Sequence, residues 1–533
     1  MSLSSMLRKA LTGSSRKPPN QENHPREHGF PALEESLEKN ISSFKEYLGT
    51  SEDVKYHAFS FGRNLEFNGT LLFLDGMVSS DTITQSILKP LISNKEISRK
   101  KDDIQSMQDI QKSMLCSGDV VCQKEFAKLL DGLLSGDTIF LLDGFPQGLV
   151  ISTRNWDKRS VTEPQTESVV RGPREGFTEN FRTNTSLMRR RLKSHRLRME
   201  HMVIGEKTST SVCIVYIEGV AKPEIVKTLR QRLAQVHVDS ILDASYLEEY
   251  IEDSHFSVFS TVNYTEKPDV AAAKILEGRV GIITDGSPFM LTVPALFIES
   301  FQTAEDYYIR PFYASITRLM RFLAYAISIF AVPIYIALTT FHQELIPTTL
   351  LITIASAREG TPFPALMEAL IMVLSFEILR EAGLRLPRPV GQSVSIVGAL
   401  VMGDAAVSAG LVGAPMVITV AITAVAGFII PSQIDSITIL RIIMMLLASM
   451  LGGFGIAVGL LGVLVHLAVL KSFGVPYCGA VIPSRDQQDT FIRLPLWMMI
   501  KRPETIAGRD EVRKTGWMPA TGKESDGQSE NNQ

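Results

Sequence analysis

The segment FLAYAISIFAVPIYIALTT (Phe322 to Thr340) is a run of 19 residues without a charge. A helix crosses a hydrocarbon core about 30 Å thick with about 20 such residues. In a medium without water a lone segment must satisfy its backbone polar groups internally, and only a helix does so. The run therefore sets the class of the chain: part of it is a helical membrane protein. More apolar sequence follows. ALMEALIMVLSFEIL (Ala365 to Leu379) carries Glu368 and Glu377, and an uncharged stretch follows Asp404 and lasts to Ile434. Its Gly413-Ala414-Pro415 break suggests two crossings. IIMMLLASMLGGFGIAVGLLGVLV (Ile442 to Val465) either divides at Gly452-Gly453 or kinks there as one long helix. LIPTTLLITIASA (Leu345 to Ala357) reads as interfacial or re-entrant.

Basic residues set the orientation. Arg310, Arg318 and Arg321 precede the first span, Arg380, Arg385 and Arg388 follow the second, and Lys471, Arg485, Arg493, Lys501 and Arg502 follow the last. Six crossings place every cluster in the cytosol, whereas five would put the C-terminal segment outside. An even count with both ends inside is expected. Glu377, Arg380, Glu381 and Arg385 are spaced to pair along one helix. Glu368 reads as interfacial, Arg441 as snorkelling to the cytosolic surface, and His466 as a neutral, hydrogen-bonded residue.

Outside this region the chain is hydrophilic. The net charge of -3 argues against a nucleic-acid binder. The four cysteines show no zinc spacing and read as reduced core residues. The first twenty residues lack the apolar run of a signal peptide, so the N-terminal part is expected in the cytosol. It contains an internal repeat. LLFLDGMVSSDTITQSILKPL (Leu71 to Leu91) resembles IVYIEGVAKPEIVKTLRQRL (Ile214 to Leu233), and LLSGDTIFLLDGFPQGLVIS (Leu133 to Ser152) resembles ILEGRVGIITDGSPFMLTVP (Ile275 to Pro294). Both pairs keep nearly one offset, which implies two copies of one α/β subdomain. The DG pairs at Asp143 and Asp285 read as hairpin turns. The chain thus divides into a disordered tail (1–31), an α/β subdomain (32–155), a connector with a basic helix (156–205), a second α/β subdomain (206–308), a transmembrane bundle of five or six spans (309–471), a cytosolic segment (472–505) and a second disordered tail (506–533).

Two sets of residues are candidates for function. In SVSIVGALVMGDAAVSAGLVG a helix would align Ser393, Val397, Val401, Asp404 and Ser408 on one face, with Gly398, Ala405 and Ala409 beside it for close packing. An apolar face with one acid and two hydroxyls suits a water-filled path, and in a ring of subunits it would give rings of carboxylates and valines. The alternative is an Asp404 buried against a neighbouring helix. The second set is VVRGPREGFTENFRTNTSLMRRR (Val169 to Arg191). Thr178 is a plausible N-cap, and Phe177, Phe181, Met188 and Leu192 form an apolar stripe. The basic residues Arg171, Arg174, Arg189, Arg190 and Arg191 form a surface open to nucleic acid, anionic lipid or protein. A protein contact is preferred, with LEEYIED (Leu247 to Asp253) as an acidic partner. No HExxH, GxSxG, Walker A or Rossmann fingerprint occurs. No enzyme, catalytic residue, metal or cofactor is therefore assigned.

The segments EPQTESVVRGPREGFTENFRTNTSLMRRRLKSHRLRME (Glu163 to Glu200) and RPVGQSVSIVGALVMGDAAVSAGLVGAPMVITV (Arg388 to Val420) closely resemble the signatures of the A subunits of GerA-family spore germinant receptors. So does the order of parts, over residues 40 to 505. The resemblance implies a multi-pass protein of the spore inner membrane with a cytosolic N-terminal region. It implies a transporter-like B subunit that binds the nutrient and a lipoprotein C subunit as partners, together with copies of the chain itself as a homo-oligomer. It further implies that the oligomer conducts cations when nutrient binds. A membrane-anchored scaffold and a secondary transporter subunit are the alternatives. The soluble repeat has no counterpart in the bundle, which disfavours the transporter.

Overall fold

The computed structural model describes residues 30–62, 65–93, 107, 110, 119–154, 164, 166–386, 398, 401–479, 489–499, 501–503, 505–508 and 513. Most of the expected N-terminal tail lies outside them. The chain forms two compact units that divide near Trp156.

The first unit holds a five-stranded antiparallel sheet. Its strands are β1 (Val54–Phe61), β2 (Phe67–Leu74), β3 (Val120–Gln123), β4 (Thr138–Leu142) and β5 (Gly148–Ile151), in the order β1-β2-β4-β5-β3. Helices cover both faces, so β4 is buried at every residue. Ile139 and Leu141 pack under α1 (Leu37–Leu48) and the helix Phe126–Leu134, while Phe140 and Leu142 pack under the helical stretch that includes Ile83 and Ile87. This is the period-two alternation of a strand buried on both sides.

The second unit contains a second such sheet, with β6 (Leu197–Ile204), β7 (Thr210–Ile217), β8 (Asn263–Thr265), β9 (Val280–Thr284) and β10 (Met290–Val293) in the order β6-β7-β9-β10-β8. The registers match pair for pair. Val54 faces Leu74 as Leu197 faces Ile217, Thr138 faces Ile151 as Val280 faces Val293, and Cys122 faces Leu149 as Tyr264 faces Leu291. The boundary expected at residue 206 is corrected here. The helix α2 (Phe181–Arg191) and the edge strand β6 lie before it, yet both are part of this layered structure.

The Asp-Gly pairs do form the β4–β5 and β9–β10 hairpins, with Gly144 at φ 86 and Gly286 at φ 81. They also do something a turn does not require. Asp143 Oδ1 accepts from the first helical N–H of α1, at Leu37 (3.2 Å), and Asp285 Oδ1 accepts from that of α2, at Phe181 (3.4 Å). Gly144 N donates to Glu35 O as Gly286 N donates to Glu179 O. One turn inside each helix an asparagine closes the entry loop. Asn40 binds the backbone N–H and C=O of Glu34, and Asn184 binds those of Thr178. These bonds satisfy donors a helix start leaves open. They also explain why α2 begins two residues later than expected: Thr178 is held by Asn184, and Asn180 is the N-cap.

The rest of the second unit is helical. α3 (Pro311–Thr340) is 30 residues long. It is followed by α4 (Thr348–Arg358), α5 (Ala365–Arg385), the helical residues 401–408, α6 (Ala414–Phe428) and α7 (Ile434–Val469). Among the described residues two helices are long and apolar enough to cross a membrane, α3 and the stretch Pro431–Val469. The latter is not straight. Gly452 has φ 61 and ψ -138, outside the helical region. A Cβ on Gly459 would lie 2.5 Å from Met444 Sδ. Fifteen residues of unbroken helix would separate these two by about 22 Å. Ile437 and Leu440 share an apolar cluster with Leu467 and Leu470. The chain therefore folds back at Gly452 into a helical hairpin, with glycines at the contact. Its tip meets the far end of α3, where Phe341 packs on Gly452 and Gly453 N donates to His342 Nε2 at 3.1 Å.

After the hairpin the chain returns to the second sheet. Ser472 Oγ accepts from Ala295 N (2.9 Å), and Phe297 N donates to Tyr477 O (3.0 Å). Gly508 N donates to Val220 O (2.7 Å), and Ile506 is fully buried in the core of this sheet. The tail expected from residue 506 thus begins with docked residues.

The asparagine clamps give a prediction. Asn184→Ala leaves the Thr178 N–H buried without its partner, at a cost of about 1–3 kcal/mol. Asn40→Ala should cost a similar amount. Thermal unfolding of the full chain in detergent, compared with wild type, measures both.

Candidate functional site

Of the predicted pore-facing residues, Ser393 and Val397 lie outside the described residues. Val401, Asp404 and Ser408 lie on one face of the helix at 401–408, and all three are exposed in the single chain. The packing face differs from the one expected. Gly398 sits against Leu379 of α5 and Gly403 against Val417 of α6, with Ala406 half-buried in the bundle core. Ala405 and Ala409 instead share the exposed side with Asp404. Gly403 and Ala406 lie about 60° apart on a helix that turns 100° per residue, whereas Ala405 lies about 160° from Gly403. Small side chains do set the close approach: Gly398 is one of those expected, and Gly403 stands in place of Ala405 and Ala409.

Several other charges of the bundle are paired among the described residues. Glu368 is fully buried, 3.2 Å from Arg358 Nη2, and accepts from Gly413 N at 3.1 Å. It ties the ends of α4 and α5 to the turn before α6. Glu377–Arg380 and Glu381–Arg385 pair along α5 as expected. Arg441 does not snorkel. It is buried and donates to the Ser328 carbonyl of α3 at 2.9 Å, with Glu377 at 3.6 Å. His466 is hydrogen-bonded to Ser257 at 2.9 Å.

The basic segment is only partly a surface. Arg171 and Arg174 are exposed. Arg190 and Arg191 both pair with Glu175, at 3.2 and 2.7 Å. Arg189 is 1% exposed and its guanidinium reaches the Ser194 carbonyl, so it is a core residue. Three successive helical residues point 100° apart, and with Met188 facing the core one neighbour must follow it inward. Phe177, Phe181, Met188 and Leu192 are buried as the stripe expected. Within the chain LEEYIED does not pair with the run: Asp253 pairs with Arg232, and Glu248 and Glu252 share Ser260.

Gly172 packs the segment against Tyr308, just before α3. Its φ is +142, and a Cβ there would lie 2.7 Å from the Tyr308 ring. Lys267, itself buried, donates to the adjacent Pro173 carbonyl at 2.7 Å. Tyr308 follows Tyr307, which belongs to a buried ionic junction that sequence reasoning missed. Arg318 on α3 is fully buried, with Nε 2.9 Å from Asp306 and Nη1 2.7 Å from Asp489. Arg321 also pairs with Asp306 (2.9 Å), and the Tyr307 hydroxyl donates to Asp489 at 2.5 Å. Arg493 reaches the Tyr307 and Ile309 carbonyls. One guanidinium thus joins the approach to α3, α3 itself and the C-terminal segment. Burial alone would raise the Asp306 carboxyl, but hydrogen bonds and charge from Arg321 and Arg318 outweigh it and hold it below the usual range. Asp489 has one arginine rather than two, so burial prevails and its carboxyl is raised. The available signal was the spacing of Asp306, Arg318 and Arg321, which puts both arginines on one face of a helix starting at Pro311.

Among the described residues no group of His, Cys, Asp and Glu is arranged to hold a metal ion. A family model described as Bacillus/Clostridium GerA spore germination protein matches residues 42–505. The chain belongs to this family. It is 43% identical to spore germination protein KA of Bacillus subtilis (strain 168) over 90% of this chain and 88% of that one. It is 37% identical to spore germination protein B1 of the same strain, over 90% and 99% of the two chains. The N-terminal domain of the A subunit of the Bacillus megaterium spore germinant receptor GerK3 is similar at 32% identity, covering 50% of this chain and 98% of that one with a TM-score of 0.39. Within this GerA-family chain the second signature segment contributes the exposed helix, and the first contributes Gly172 and α2.

Arg318→Met should destabilise the protein by about 3–5 kcal/mol, because Asp489 stays buried without its arginine and Asp306 keeps only Arg321. A pH series adds a second reading. The folded Asp306 pKa lies below its unfolded value, so its contribution is complete above about pH 4 and is lost as pH falls through the folded pKa. Melting temperature against pH should fall on the acid side in wild type, and this acid step should shrink in Arg318→Met.

Proposed function

We propose that this GerA-family chain is the A subunit of a nutrient germinant receptor in the spore inner membrane, and that copies of it assemble into the cation channel opened by nutrient. The family match and the printed names of the relatives support the receptor role. The observation that carries the channel reading is the helix at 401–408, whose face with Val401, Asp404 and Ser408 is exposed among the described residues. A charge in that position must face water or another subunit. A ring of such helices would select cations at the carboxylates and close by excluding water at the valines. Ser393 and Val397 would continue that face.

Six crossings fit the contacts best. α3 ends at the hairpin tip, and α4 lies at that same end through the Arg358–Glu368 pair. α5 returns to bring Glu377 to Arg441, near the start of α7. The helix at 401–408 goes out again, since a Cβ on Gly410 would lie 3.3 Å from Gly360 O, and α6 returns to place Gly427 beside Arg441. The hairpin supplies the last two. Both ends of the bundle then lie beside the second sheet, the cytosolic side by the positive-inside rule. We further take the two sheets as copies of one subdomain, on their matching registers. Arg171, Arg174, Arg190 and Arg191 are the surface proposed for contact with the B and C subunits or another copy.

Spores carrying Val401→Ala should release monovalent cations without nutrient, and Asp404→Asn should slow release with nutrient. Unchanged basal and triggered efflux in both, measured by ion-selective electrode, would sink the pore reading. Topology is tested by single cysteines on a cysteine-free chain. Cysteines at Glu344 and Glu359 should react with a membrane-impermeant thiol reagent from outside, and cysteines at Lys471 and Ser432 only after permeabilisation.

A further inference from the structure

α3 is longer than a span needs. Its 30 residues extend about 45 Å, against about 30 Å for the hydrocarbon core and 40–45 Å with the headgroup zones. About one third of the helix therefore lies in a headgroup zone. In that third every exposed side chain on the outer face is large and apolar: Phe312, Tyr313, Ile316, Leu319, Met320 and Leu323. The opposite face holds Ala314 and Arg318, both fully buried. The C-terminal segment lies along this part of α3. Asp489 is fixed by Arg318, Arg493 N donates to Ser315 Oγ at 3.1 Å, and the Phe491 ring is 4.7 Å from that of Phe322, where the uncharged run begins. Although this segment is otherwise pinned, it turns Phe491, Ile492, Leu496 and Trp497 outward. Burying them would have been the ordinary outcome for a segment in water.

We propose that residues 491–497 form a collar around the base of α3 that seats in the headgroup zone of the bilayer, on the side of the second sheet. Phospholipid is the occupant the geometry favours. The patch is continuous with the membrane-spanning surface at Phe322, carries no acidic side chain between 311 and 323, and combines Tyr and Trp with aliphatic residues, as belts at membrane–water boundaries do. Arg310, exposed at the head of the stripe, faces the zone where lipid phosphates lie. The collar also binds the junction: Asp489, two residues before it, is a partner of Arg318. Lipid contact at 491–497 would thereby steady the ionic link between the α/β region and the first helix.

This inference rests on the membrane reading, and the test separates the two. The full chain with Trp156→Phe and Trp517→Phe keeps Trp497 as its single tryptophan. In phospholipid vesicles its fluorescence should be quenched several-fold more by lipids brominated near the headgroup end of the acyl chain than by lipids brominated at the chain terminus, and weakly by aqueous iodide. Strong iodide quenching without lipid quenching overturns the proposal, because Trp497 is then in water. Shielding from both also overturns it, since a protein surface then covers the patch. A tryptophan-free chain carrying Leu461→Trp is the control. Lipid quenching at that site, with none at Trp497, defeats the collar alone. No lipid quenching at either site defeats the membrane reading.

Discussion

Arg318 is the point through which the architecture of the second unit is held. A guanidinium with no exposure is tolerated only when its charge is met, and Asp306 and Asp489 meet it from opposite directions in the chain. Arg321 supplies the second positive charge that keeps Asp306 ionised. Because the partners lie on three different segments, none of them can move as a unit without exposing or stranding a charge. The α/β region, the first helix and the C-terminal segment are therefore mechanically one piece at this level. Gly172 extends that piece, since only a residue without a side chain lets the signature turn rest on the Tyr308 ring.

The two sheets show how a short motif can serve fold and docking together. The Asp-Gly turn is required by the hairpin. Its carboxylate is then free to meet the start of a helix, where N–H groups lack partners. The asparagine four residues into the helix finishes the entry loop. The same three groups recur at Asp143, Gly144 and Asn40 and at Asp285, Gly286 and Asn184. Any sequence that keeps them fixes where the helix begins and which sheet face it covers.

What could be read in the sequence was local or periodic. The apolar runs, the Asp-Gly hairpins, the buried Phe177–Leu192 stripe and the i,i+3 and i,i+4 pairs of α5 all depend on spacing along one segment. What escaped depended on pairing across the chain. Arg318 and Asp489 are 171 residues apart, and an arginine before a span looks the same whether it marks topology or fills a core. Arg189 was read with its neighbours as one charged surface, although a helix cannot turn three successive residues the same way. The start of the second subdomain was placed after β6 because that strand, LRMEHMVI, mixes charged and apolar residues as edge strands do. The Gly452-Gly453 pair permitted a kink or a reversal, and the two have the same composition. The approach of Gly459 to Met444 and the cluster of Ile437 and Leu440 with Leu467 and Leu470 distinguish them.

The charges of the bundle divide into two kinds, and the division bears on assembly. Glu368, Arg358, Glu377, Arg380 and Arg441 find partners within the chain, across helices or along them. Such groups are neutralised locally and their first effect is to fix helix ends. Asp404 sits among exposed apolar residues on a helix whose glycine side is already used for packing. An ionised carboxylate facing lipid at mid-membrane costs about 2.5–3.5 kcal/mol on insertion scales, and it costs little where water or a partner reaches it. Under the proposed topology a single chain leaves that cost standing. Rings of this helix, or a neighbouring subunit, would remove it, so the position that is least comfortable in the single chain is the one that gains most from assembly.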